Sequence, residues 1–251
     1  MKESPVIALE CNGLSKLFGG LYAVNDVSLR IEKGERRAII GPNGAGKTTL
    51  FNLLSGELKP TTGEIKIFQK DVTDMPKHRR VALGLGRTFQ ITNLLSSSTL
   101  LENLLIAIMG LQKSKFSMFK PLVSYKRVLE EAMQMLELIG MTDKAEIPVK
   151  YLSHGEQRQV EIALTLIIKP KVLLLDEPTA GLSPGELLIM TDILHKLDPE
   201  ITVLMIEHNM DVAFRIGEKI TVLNQGRIFA EGDESEIRRN VSVQNIYFGK
   251  Q

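Results

Sequence analysis

Nine consecutive residues, Gly41, Pro42, Asn43, Gly44, Ala45, Gly46, Lys47, Thr48 and Thr49, contain the spacing G-x-x-x-x-G-K-[ST]. The chemistry open to such a run is the binding of a phosphate chain. Successive backbone N–H groups in a glycine-rich turn point into one concavity and bind anionic oxygens. The N-terminal end of a following helix adds partial positive charge there. Lys47 would bring a cation to the outer phosphates, and the Thr48 hydroxyl would be a ligand for Mg²⁺.

A pair of acids supplies the second chemical signal. Val172 to Leu175 is a continuous apolar run, which reads as a buried parallel strand, and Asp176 and Glu177 end it. Strand alternation points the two carboxylates in different directions. Asp176 can then hold the Mg²⁺ shell while Glu177 faces a water. Burying two such charges without partners would cost several kcal/mol, which favours a chemical role. Ile201 to Ile206 reads as another buried strand and is followed by Glu207 and His208. That places His208 at the sheet edge where open α/β sheets bind ligands.

The surrounding pattern supplies elements to position these groups. Arg37 to Ile40 reads as a strand entering the glycine loop, and Thr48 to Leu58 as a helix leaving it, with Leu50, Leu53, Leu54 and Leu58 on one face. Upstream, Val6 to Glu10 and Val27 to Ile31 are strand-like; downstream, so is Glu64 to Phe68. Between the first two, Phe18 and Tyr22 flank a glycine turn. Either ring could stack on a purine base or fill the core. The basic run Lys77, His78, Arg79, Arg80 is expected to be a solvated face. Helical spacing covers Leu100 to Met109 and residues 125–139, with a loop at 112–123 between them, so 91–168 is expected to be mainly helical. Ser153 and Glu156 form a capping-box spacing that opens a further helix, and its N-terminus would present N–H groups to an anion. A helix over Glu186 to Leu197, a hairpin over Ile220 to Ala230 and a charged helix over 233–239 follow.

Composition narrows the classes. The chain has 251 residues, 43% hydrophobic and 24% charged, with net charge +1, so no electrostatic case for nucleic-acid binding exists. Cys11 is the single cysteine, which rules out an internal disulfide and fits a reducing compartment. No apolar run approaches the roughly 18 residues of a membrane span, and Met1 to Glu10 lacks the apolar core of a signal peptide. The expected location is cytoplasmic.

In this order, the motifs resemble those of the ATP-binding subunit of ABC transporters over essentially the full chain. Gly41–Thr48 resembles the Walker A loop, and Gln90 stands where the family has its Q-loop glutamine. Leu152 to Glu156 is similar to the signature L-S-G-G-Q, with His154 in place of Gly and Glu156 in place of Gln. Val172–Glu177 resembles Walker B. Ala180–Ser183 resembles the D-loop, although only Leu182 matches S-A-L-D, and His208 matches the switch histidine. The resemblance implies an α/β fold: a P-loop NTPase core with a mainly parallel sheet, an N-terminal antiparallel β subdomain and an inserted α-helical subdomain. It implies one ABC ATPase domain over 1–251, with 1–90 and 169–251 as the core and 91–168 as the helical part.

It further implies ATP and Mg²⁺, with Thr48, Gln90 and Asp176 arranging the metal. Glu177 would be the general base, and His208, Lys47 and Gln90 its catalytic partners. Phe18 would stack on adenine. Ser153 and Gly155 would contact the γ-phosphate of a second subunit's ATP in a head-to-tail dimer. Implied partners are transmembrane permease subunits, a second ATPase subunit and, indirectly, a substrate-binding protein, placing the chain on the inner face of the membrane. Residues 86–90, the loop at 112–123 and 153–157 look most like the ATPase of branched-chain amino-acid importers. An exporter ATPase and a soluble ABC protein acting on DNA or ribosomes are the rival readings. The latter class usually has paired ATPase domains or long coiled coils, and neither is visible here.

Overall fold

The computed structural model describes residues 5–88, 94–111 and 126–248. Gln90 and the loop at 112–123 lie outside them. Two antiparallel strands, β1 (Ile7–Phe18) and β2 (Leu21–Glu32), open the chain. They turn at Gly19 and Gly20, both at positive φ. Each runs 12 residues, longer than the sequence reading predicted. The register shifts repeatedly between Ile7 and Leu17, which breaks the apolar alternation that would have marked the full length. With β4 (Thr62–Ile67) and β5 (Lys70–Asp71) they form a sheet of order β2-β1-β4-β5.

The second sheet holds β3 (Arg36–Ile40), β6 (Leu85–Arg87), β7 (Val172–Asp176), β8 (Thr202–Ile206), β9 (Lys219–Asn224) and β10 (Arg227–Gly232) in the order β10-β9-β3-β8-β7-β6. All its pairs are parallel except the β9–β10 hairpin. Every residue of β7 and β8 is buried, as continuous apolar runs in a parallel sheet require. Helix α1 (Lys47–Ser55) buries Leu50, Phe51, Leu53 and Leu54 in the same core cluster as Ile39, Leu174 and Ile206. Parallel pairing puts the carboxyl ends of β3, β7 and β8 at one edge of the sheet.

Contacts divide the chain into two compact units. One holds 1–87, 171–179 and 197–251, and contains both sheets, α1, α2 (Lys77–Ala82), α7 (Met210–Ile216), α8 (Glu234–Arg239) and α9 (Val241–Phe248). The other holds 88–170 and 180–196, and contains α3 (Leu100–Leu111), α4 (Lys126–Leu138), α5 (His154–Ile167) and α6 (Pro184–His195). Helix α4 buries Val128, Ala132 and Leu136, the four-residue spacing of one face. Helix α9 has no counterpart among the sequence expectations, and α6 starts at Pro184, two residues before the expected Glu186, with Ser183 as its cap.

One expectation is overturned. Arg80 belongs to the basic run read as a solvated face, yet it is 1% exposed. Its guanidinium donates to the carbonyls of Leu53 and Leu54 at 2.8 Å, Met75 at 2.9 Å and Thr73 at 3.1 Å. The first two belong to the last turn of α1, where helix carbonyls need partners; the Leu53 carbonyl also accepts from the Gly56 amide at 3.2 Å. Arg80 therefore caps the helix that follows the glycine loop. Burial lowers its pKa to about 10, which leaves it charged at neutral pH. Replacing it strands several carbonyls, and Arg80→Ala should cost about 3 kcal/mol or more. A urea titration checks this; an unchanged midpoint would show that those carbonyls find other partners.

Candidate functional site

The glycine loop leaves β3 at Ile40 and enters α1 at Lys47. Gly46, the N-cap, has φ 100°, and a Cβ there would lie 2.2 Å from the carbonyl oxygen of Ala23 on β2. Only glycine allows that approach. The loop is pinned from behind: Gly226 in the β9–β10 turn donates to the Ala45 carbonyl at 2.9 Å, and Asn25 donates to Gly226 at 2.8 Å.

Lys47 is buried, and its Nζ donates to the carbonyls of Gly41 at 2.7 Å and Pro42 at 3.1 Å. Burial pulls its pKa below the ordinary lysine value, while Glu177 and Asp176 push it back up. The ammonium is thus held by oxygens of its own loop. A cavity of about 370 Å³ opens here, lined by Ala23, residues 43–49, Glu177 and His208.

The acids arrive from the next strand but one. Asp176, 2% exposed, ends β7. Arg87 Nη2 lies 3.2 Å from its Oδ2, while Nη1 donates to Asn52 Oδ1 at 2.8 Å and Ser55 Oγ at 2.7 Å on α1. Arg87 therefore ties the end of β7 to the helix of the glycine loop. Glu177 has φ 50°, in the left-handed region. Its Oε1 lies 2.6 Å from His208 Nε2. The sheet edge thus brings Lys47, Glu177 and His208 around one cavity, while Asp176 is buried at the end of β7, one residue before Glu177.

In the other unit, Ser153 caps α5 and forms the reciprocal box with Glu156. Glu156 also pairs with Lys144, so the residue standing for glutamine in the signature is occupied locally. The Ser153 hydroxyl lies 3.0 Å from Glu186 Oε1. A Cβ on Gly155 would lie 2.3 Å from that same oxygen, and the Gly155 backbone also hydrogen-bonds to this carboxylate. Ser153 and Gly155 thus already hold an anion. At the β1–β2 turn, Phe18 is 47% and Tyr22 49% exposed, with Lys16 Nζ 5.3 Å from the Phe18 ring centre. Both aromatics are exposed rather than core.

Sequence reasoning gave Arg87, Glu186 and Glu207 no role. Arg87 and Glu186 lay within runs already singled out, but their partners, Asn52 and Ser153, are distant in sequence. Glu207 was read as the end of a strand. It is 3% exposed, and its Oε1 accepts from the Thr179 hydroxyl at 2.8 Å and the Thr179 amide at 3.3 Å.

Residues 24–180 match the ABC transporter family. The chain belongs to that family. It is 39% identical to the high-affinity branched-chain amino acid transport ATP-binding protein LivG of Escherichia coli strain K12, over 96% of this chain and 98% of that protein. It is equally similar, at 39%, to BraF of Pseudomonas aeruginosa, over 96% and 98%. Among solved structures, it resembles the ADP conformation of MJ1267, an ATP-binding cassette of an ABC transporter, with a TM-score of 0.84, 32% identity and coverage of 97% and 99%. This ABC subunit binds ATP and is an ATPase. Among the described residues, no group of three or more His, Cys, Asp or Glu side chains could cage a metal. Mg²⁺ carried on nucleotide phosphates would need only one or two protein oxygens, and the Thr48 hydroxyl and Asp176 carboxylate are of the donor type it takes.

Burial pushes the Glu207 carboxyl up to about 7, against hydrogen bonds from Thr179 and the His208 backbone. The ordinary value is 4.5. Between these pH values the native chain keeps a proton that the unfolded chain has released, so folding stability falls as pH rises through that window. Glu207→Gln removes this contribution. Its stability relative to wild type should rise by roughly 2–3 kcal/mol from pH 4.5 to pH 7.5. Paired urea titrations at the two pH values check it; a pH-independent difference would contradict it.

Proposed function

We propose that the chain is the ATP-hydrolysing motor of an ABC importer for branched-chain or related amino acids, acting as a single ATPase domain. The observation that carries the chemistry is the Glu177–His208 pair facing the Lys47 loop across one cavity. The names and near-complete coverage of the relatives support the substrate class.

In this reading Gly41, Pro42, Asn43, Gly44, Ala45, Gly46 and Thr49 shape the cradle for the phosphate chain, and Phe18 stacks on adenine. Lys47 leaves the Gly41 and Pro42 carbonyls for the β- and γ-phosphates, where it stabilises the charge that develops in phosphoryl transfer. Mg²⁺, when bound through Thr48, Asp176 and Gln90, supplies neutralisation of phosphate charge. Glu177 takes a proton from the attacking water at its carboxylate. His208, hydrogen-bonded to that carboxylate, orients it and contacts the γ-phosphate. Ser153 and Gly155 are the donors for the γ-phosphate held by a partner ATPase in a head-to-tail dimer, a role consistent with the carboxylate they already bind. That dimer sits on transmembrane permeases at the cytoplasmic face and is served indirectly by a substrate-binding protein.

Glu177→Gln should keep ATP affinity, stabilise an ATP-bound dimer and cut turnover about 10²–10⁴-fold, the usual contribution of a general base. Phosphate release and size-exclusion chromatography with ATP measure the two effects; wild-type turnover would remove Glu177 from the role. A mild-detergent pull-down tests the assembly. Two multi-span permeases with a second ATPase support the importer, lipid-handling partners indicate an exporter, and ribosomes or DNA without membrane protein exclude transport.

A further inference from the structure

We propose that Glu207 is a positioning residue for hydrolysis: its buried carboxylate clamps the ends of β7 and β8 together and so sets the Glu177–His208 pair. The inference rests on the reading of Glu177 and His208 given above, and goes beyond it by naming what holds them.

Glu177 occupies a left-handed backbone conformation, φ 50°, that side chains other than glycine rarely adopt. Such a conformation persists when its surroundings over-determine it. On its N-terminal side, the Glu177 amide donates to the Ile206 carbonyl at 3.1 Å. On its C-terminal side the chain passes Pro178 to Thr179, and both the amide and the hydroxyl of Thr179 donate to Glu207 Oε1. Glu207 is itself fixed, since its amide donates to the Ile39 carbonyl at 3.1 Å on β3. His208 is the next residue. One carboxylate therefore grips the segment leaving the proposed base and sits directly before the histidine that bonds to it.

The same geometry separates Glu207 from the reacting atoms. It is buried and does not line the nucleotide cavity, so it acts through its neighbours. Thr179 is also buried, so losing the carboxylate leaves a buried hydroxyl and amide without their acceptor, and the 177–179 turn would relax toward ordinary backbone. The nucleotide cradle, built from residues 43–49, is untouched by that change. The expected signature is a loss in kcat with little change in KM for ATP.

The test is steady-state MgATP hydrolysis by the full chain in its assembled transporter, for Glu207→Ala, Glu207→Gln, Thr179→Val and the Glu207→Ala/Thr179→Val double variant. Glu207→Ala should lower kcat at least tenfold with KM within twofold. Glu207→Gln, whose amide oxygen still accepts from Thr179, should stay within threefold of wild type. Thr179→Val should lower kcat several-fold, and the double variant should be no slower than Glu207→Ala, the non-additivity of residues that act as one unit. Wild-type kcat in Glu207→Ala, a loss carried by KM, a Gln variant as slow as the Ala variant, or additive losses would each overturn the proposal. Should Glu207→Ala not fold, Thr179→Val decides: wild-type kcat there overturns it. Glu177→Gln separates the two readings. If it is inactive while Glu207→Ala matches wild type, only the clamp fails; if it turns over normally, the underlying base assignment fails.

Discussion

A buried ammonium held by backbone carbonyls of its own loop is the constraint on which the site depends. Lys47 sits at the first position of α1, donating to Gly41 and Pro42 within its own loop. A buried cation needs oxygen partners, and the loop supplies them. The loop in turn needs a rigid support. It gets one from Ala23 behind Gly46, from the Gly226 amide on Ala45, and from Arg80, which closes the far end of α1. The shape of the loop is therefore a product of packing around a helix.

The second support is the parallel sheet. Because β3, β7 and β8 run the same way, the loop, Asp176–Glu177 and Glu207–His208 emerge at one edge. Side chains then cross-link those ends. Arg87 joins Asp176 to α1, and His208 joins Glu177. The result is a set of charged groups held by one another, which is what catalysis by positioning and electrostatics requires.

Much of this was legible in the sequence. The G-x-x-x-x-G-K-[ST] spacing and the apolar runs before Glu177 and His208 each fix a local geometry, so motif and element could be read together. Ser153 and Glu156 announced a capped helix in the same local way. What escaped depends on partners distant in the chain. Arg80 lies in a basic run that looks solvated, and only carbonyls from α1 and from residues 73 and 75 bury it. Glu207 looks like a strand-end carboxylate until Thr179 is placed beside it. The full lengths of β1 and β2 were hidden by the register shifts that interrupt their alternation. Glu186 is a normal capping residue by spacing, and its contact with Ser153 and Gly155 arises only from tertiary structure.

The central claim is that Lys47 exchanges its loop carbonyls for the outer phosphates of a nucleotide. Its most direct test is calorimetric titration of wild type and Lys47→Ala with MgATP and MgADP. The account predicts that the variant loses at least tenfold in MgATP affinity, about 1.4 kcal/mol, and less for MgADP, which lacks the γ-phosphate. Equal MgATP affinity in the two proteins would contradict it.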